Sequence, residues 1–190
     1  MNTEKPNRPD LAWSALLVLI LVAATVGQIW AAESAEEAKA ELQHIGIYDS
    51  RAVAYAFFWT NDRQAKRNEQ VKDANAAKTA GDSARFEKLS KALADEQQKI
   101  QRQVFSNAPV DDALAAIQPR LPKIQKQAGV TALVSMWDAP TLRKYPAAVR
   151  VDMTDLLTAE FKPTENQLKI IEEIKKQKPV PLDQIDKRKD

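Results

Sequence analysis

One histidine, His44, and no cysteine occur in 190 residues, which narrows the chemistry this chain can perform. A Ser-His-Asp relay would have to use His44, yet no serine lies in a G-x-S-x-G elbow. Phosphate-cradling loops of the Walker A or G-x-G-x-x-G type are missing as well. The carboxylate pairs Asp111-Asp112 and Glu172-Glu173 are adjacent on predicted helices, so each pair diverges rather than converging on a shared proton. A single imidazole without thiolates is a poor start for zinc or a softer metal. No catalytic residue, metal ligand or cofactor is predicted, and the chain is read as a non-enzyme.

The residues suited to contacts are more informative. Phe57, Phe58 and Trp59 are consecutive on a predicted helix, span most of a turn and cannot all face the same core. Some are expected to bury against a sheet, and the rest are candidates for an inter-subunit seam or a partner-binding wall. Trp137, on a predicted strand, joins them as a candidate contact. Between residues 60 and 104 ten basic residues face seven acidic ones. Arg63, Lys66, Arg67, Lys72, Arg85, Lys88 and Lys91 make this a candidate basic surface for acidic partners or anionic headgroups. With 28 basic against 26 acidic residues overall, no nucleic-acid partner is expected.

These residues need elements to hold them. Residues 11–32 carry no charge and at about 1.5 Å per helical residue could cross a bilayer core of roughly 30 Å. Trp13 and Trp30 sit near its ends as candidate interface anchors. Lys5 and Arg8 before it and Glu33, Glu36 and Glu37 after it predict a cytoplasmic tail (1–10), a transmembrane helix (11–32), a linker (33–42) and an exported remainder. The alternative is a secretory signal peptide cut after Ser34. Either way the remainder is disulfide-free, because cysteine is absent.

Beyond the linker, residues 43–48 are predicted as a strand and 51–80 as one helix of about 30 residues, roughly 45 Å long. Gly81 ends it, and Asp82 or Ser83 caps the next. Phe86, Leu89, Leu93, Ile100 and Val104 then mark a narrow coiled-coil seam. Pro109 to Ala128 is helical, bent or interrupted by Pro119 and Pro122. Val130–Trp137 and Ala148–Met153 are predicted strands, followed by a short helix to Phe161. Pro163-Thr-Glu-Asn-Gln167 has the form of a capping box, opening a helix with lysines at its end. The final stretch, 179–190, is expected to be extended or disordered. The fold class predicted is α+β, mainly α: a transmembrane helix, a small sheet body built by strands from both ends of the domain, and a long antiparallel helical-hairpin arm over about 50–128.

This layout resembles the Skp/OmpH family of periplasmic chaperones. The resemblance rests on Ile45-Gly-Ile-Tyr-Asp49 with Arg51-Ala-Val-Ala, similar to the opening strand and helix. Ala80-Gly-Asp-Ser83 before Phe86-Glu-Lys-Leu89 looks like the arm tip. Gly129-Val-Thr-Ala-Leu-Val134 with Asp138-Ala139 is similar to the penultimate hairpin, and Val151-Asp-Met-Thr-Asp-Leu-Leu157 to the closing strand and helix. It covers 43–161, leaving 162–190 as a C-terminal helix and tail. The resemblance implies a homotrimer that encloses unfolded outer-membrane or envelope proteins without ATP. The N-terminal segment adds the expectation of a single-pass inner-membrane protein with a periplasmic domain. Two other functions fit the same residues: a structural adaptor in an envelope assembly, and a helical stress sensor like Spy/CpxP, prompted by residues 163–167.

Overall fold

The computed structural model describes residues 43–187. The described residues, Gln43 apart, belong to one compact unit that begins at His44. The expected tail, transmembrane helix and linker, with Trp13 and Trp30, lie outside the described residues.

Strand β1 (His44–Tyr48) is the middle of a three-stranded sheet of order β2-β1-β3, with β2 at Ala132–Ser135 and β3 at Val149–Asp152. Both neighbours run parallel to it: Ile45 pairs with Ala132 and Ile47 with Val134 on one side, Gly46 with Val151 on the other. A side chain at Gly46 would have no room. A Cβ there would lie 2.6 Å from Met153 Cγ and 2.7 Å from Leu133 Cδ2, so the missing side chain lets the neighbouring elements close over the strand.

Helix α1 (Ser50–Phe58) follows directly, and every one of its residues is buried. A helix buried all round needs partners on several sides. It finds them in α3 (Ser83–Val104), α7 (Thr154–Ala159) and α8 (Glu165–Lys176). Phe57 and Phe58 are therefore both in the core, with Val53, Val104, Ile117, Met153, Leu157 and Ile171.

The single helix predicted over 51–80 is two: α1 and α2 (Asn61–Thr79), separated where Thr60 is extended at ψ 146°. Three carbonyls at the break are satisfied by side chains. Phe57 O accepts from Thr60 Oγ1 (3.1 Å), Phe58 O from Gln64 Nε2 (2.9 Å) and Trp59 O from Gln167 Nε2 (2.8 Å). The break lets α1 stay in the core while α2 continues as a polar helix with only Ala74 and Ala77 buried. Helix α2 packs extensively on α3 alone. The two run antiparallel through a turn at Gly81 (φ 73°), with Arg63 paired to Glu96 near one end and Arg85 to Asp73 near the other.

The returning stretch is split into α4 (Asp111–Ile117) and α5 (Leu121–Ala128), with Pro122 in the first turn of α5 and Gly129 ending it at φ 68°. After β2, Asp138 Oδ1 accepts from Thr141 N at 3.1 Å and caps α6 (Ala139–Leu142), with Pro140 in its first turn. The capping box at Thr164 and Gln167 is present on α8. The segment expected to be extended contains α9 (Leu182–Asp186), whose Ile185 is buried, and Val180 N donates to Phe105 O at 2.8 Å.

The predicted α+β class is corrected by these features. The described residues are mainly helical with a small, wholly parallel sheet, and no helix among them is long and apolar enough to cross a membrane. The hairpin expected over 129–139 does not form. Capped at Asp138, the chain turns into α6 instead of folding back, then crosses β1 to place β3 parallel on its far side. Parallel neighbours require such long connections, usually helical ones.

Candidate functional site

At the carboxyl end of β1 the chain changes from strand to helix at Asp49-Ser50-Arg51, and a buried polar node forms there. Asp49 Oδ1 accepts from Arg51 N, Arg51 Nε and Trp137 Nε1, each at 3.0 Å, and Oδ2 pairs with Arg51 Nη2 at 2.6 Å. Asp49 N donates to Thr154 Oγ1 at 3.0 Å. The same Arg51 Nη2 donates to Ile174 O (3.0 Å) and Gln177 O (2.8 Å), closing the end of α8, where cations are favoured. Its guanidinium also lies 4.8 Å from the centre of the Trp137 ring. Asp49 and Arg51 are 1 % and 2 % exposed, so the pair is desolvated, and its stability depends on this complete set of hydrogen bonds. The node joins β1, the turn after β2, α7 and α8. Its geometry is that of a clamp.

Beside the clamp is a cavity of about 510 Å³ at the carboxyl ends of β1 and β2, the edge where open parallel sheets usually bind ligands. Tyr48, Ser50, Asp111, Trp137 and Asp138 line it. Burial, and then the charges of Asp111 and Asp138, push the Tyr48 phenol up to about 12. Hydrogen bonds from Thr141 hold the Asp138 carboxyl below its usual range. On α4, burial works against the charge of Asp112, but hydrogen bonds from Lys99 and Gln103 outweigh it and its carboxyl is also lowered.

The sequence-predicted contact residues fall into distinct places. Phe57 and Phe58 are core residues, their rings 5.2 Å apart, and Phe57 meets Phe161 at 5.7 Å. Both fit in one core because α1 is enclosed on several sides. Trp59 is half-buried and stacked on Tyr55 at 4.6 Å. Trp137 belongs to the clamp and the cavity. Arg63 stacks over Phe57 at 4.2 Å and pairs with Glu96. Arg67 shares Glu96, and Arg85 faces Asp73, so these three arginines hold the hairpin together. Lys66, Lys72, Lys88 and Lys91 are exposed and form no ion pair among the described residues.

Sequence reasoning missed the clamp and the cavity because their residues come from segments far apart in the chain. Nothing local connects Asp49 to Trp137 or Thr154. No group of His, Cys, Asp and Glu among the described residues is arranged to hold a metal ion. The chain matches no family model, no curated protein and no solved structure, so its likeness to Skp/OmpH rests on the four motifs alone.

Proposed function

We propose that this protein holds non-native envelope or outer-membrane proteins without ATP, with the α2–α3 hairpin as the limb that touches the client. The observation carrying the reading is that limb: helices of 19 and 22 residues, the first packed extensively on the second alone. Its four uncommitted lysines are charged heads on flexible stems, suited to many weak contacts with a partner of no fixed shape. The outer strands β2 and β3 each leave one edge unpaired in the sheet, which supports assembly of copies into the trimer that the resemblance implies.

The test is dilution of a urea-unfolded β-barrel protein into buffer containing the full-length chain in mild detergent, without nucleotide, followed by light scattering. Aggregation is expected to fall in proportion to added protein. The variant Lys66→Gln/Lys72→Gln/Lys88→Gln/Lys91→Gln should suppress it less, as should added salt. Unchanged scattering with the protein in molar excess would overturn the reading. Capture of one folded partner with indifference to unfolded chains would replace it with an adaptor.

A further inference from the structure

The cavity at the strand ends has a composition of its own, independent of the hairpin. Ser50 reaches it from the start of α1, Asp111 and Leu114 from α4, and Leu133 and Asp138 from β2 and the turn behind it. No Lys, Arg or His is among its lining residues. Neither Asp111 nor Asp138 forms an ion pair among the described residues. Lys144 acts on Asp138 without lining the cavity.

The positive end of α1 is already compensated, since the Asp49 carboxylate accepts from Arg51 N. An anion would therefore meet two carboxylates and an occupied helix terminus. Ser50 supplies the second observation. It is 2 % exposed, and its Oγ is buried without a hydrogen-bond partner. A buried hydroxyl left unpaired is destabilising, and a ligand donor would relieve it. Trp137 already has Arg51 against its ring, so the carboxylates are the stronger attraction for a cation.

We propose that this cavity binds a small organic cation with an apolar body, an alkylammonium or guanidinium compound. Its head lies between Asp111 and Asp138 with an N–H donated to Ser50 Oγ, and its body lies against Leu114 and Leu133. Carboxylates supply charge-assisted hydrogen bonds, and the leucines favour an apolar body over a hydrated metal ion.

The test is calorimetric titration of the full-length chain in mild detergent with phenethylammonium and agmatine. The neutral isostere 2-phenylethanol and the anion phenylacetate are the controls. Saturable one-to-one binding of a cation is expected, with both controls weaker by about tenfold or more. Asp111→Asn/Asp138→Asn, which keeps side-chain shape and an oxygen able to cap α6, should weaken the cation by a similar factor with its melting temperature little changed. Ser50→Ala separates a ligand role from a structural one. It should weaken binding several-fold yet raise the unliganded melting temperature by about 2–4 °C, because an unsatisfied buried hydroxyl is removed. Equal binding of 2-phenylethanol, full affinity in the double Asn variant, absence of saturable binding, or displacement by millimolar Mg²⁺ would each overturn the proposal.

Discussion

Arg51 is where one substitution should cost most. Arg51→Met leaves the Asp49 carboxylate buried without its counter-charge and frees two carbonyls at the end of α8. We expect a loss of about 3–5 kcal/mol in urea unfolding. The paired change Asp49→Asn/Arg51→Met should recover part of it, because no uncompensated charge remains. Gly46→Ala tests packing instead: the added Cβ meets Met153 and Leu133 below 3 Å, and overpacking of this kind costs about 1–3 kcal/mol. Met153 can give way more easily than Leu133, since its side chain is unbranched.

Tyr48 gives a pH prediction at the same scale. Burial pushes its phenol from the ordinary value of 10.0 up to about 12 in the folded state. Between those values the folded state holds a proton that the unfolded state has lost, so stability is full below pH 10 and falls as pH rises toward 12. Lys175, raised to about 12 chiefly by its hydrogen bond to Glu172, adds a loss of the same sign in the upper part of that window. Tyr48→Phe should flatten the slope without abolishing it. Unfolding followed at several alkaline pH values, with phenol ionisation read by absorbance, checks both statements.

At the scale of elements, the junction between α1 and α2 separates two kinds of helix. Helix α1 is enclosed, whereas α2 has a single extensive neighbour and an exposed polar surface. Local opening is easiest where buried apolar contacts are few. Amide exchange should therefore be fastest around Gly81 and along α2 and slowest in α1 and β1. Uniform protection across all of them would contradict this division. Gln167 links the junction to α8, since it completes the capping box and also donates to Trp59 O. Gln167→Ala is expected to cost about 1–2 kcal/mol and to speed exchange on both sides of Thr60.

For the whole molecule, the open outer edges of the sheet and the uncommitted lysines of the hairpin bear on assembly and clients. Light scattering coupled to size separation, in detergent, should give a mass three times that of the chain. A monomer would remove the trimer. The cavity and the hairpin use different residues, so loss of cation binding in the double Asn variant should leave the suppression of aggregation unchanged.

The features readable in the chain were those governed by near neighbours. Gly81 and Gly129 mark helix ends because glycine takes a positive φ without a Cβ penalty. Thr164 with Gln167 marks a helix start because two donors are satisfied within four residues, and the polar run from Asn61 excludes a core helix. What depends on distant partners was not readable. Strand direction was one such feature: a short β-rich run looks the same whether its neighbour runs parallel or antiparallel, and the route through α6 decided it. Which elements enclose Phe57 and Phe58 was another, because α1 packs against three helices from remote segments. The clamp and the cavity follow from the same cause. Sequence determines local backbone conformation through caps, glycines and periodicity, while tertiary packing alone decides which remote side chains share a desolvated space.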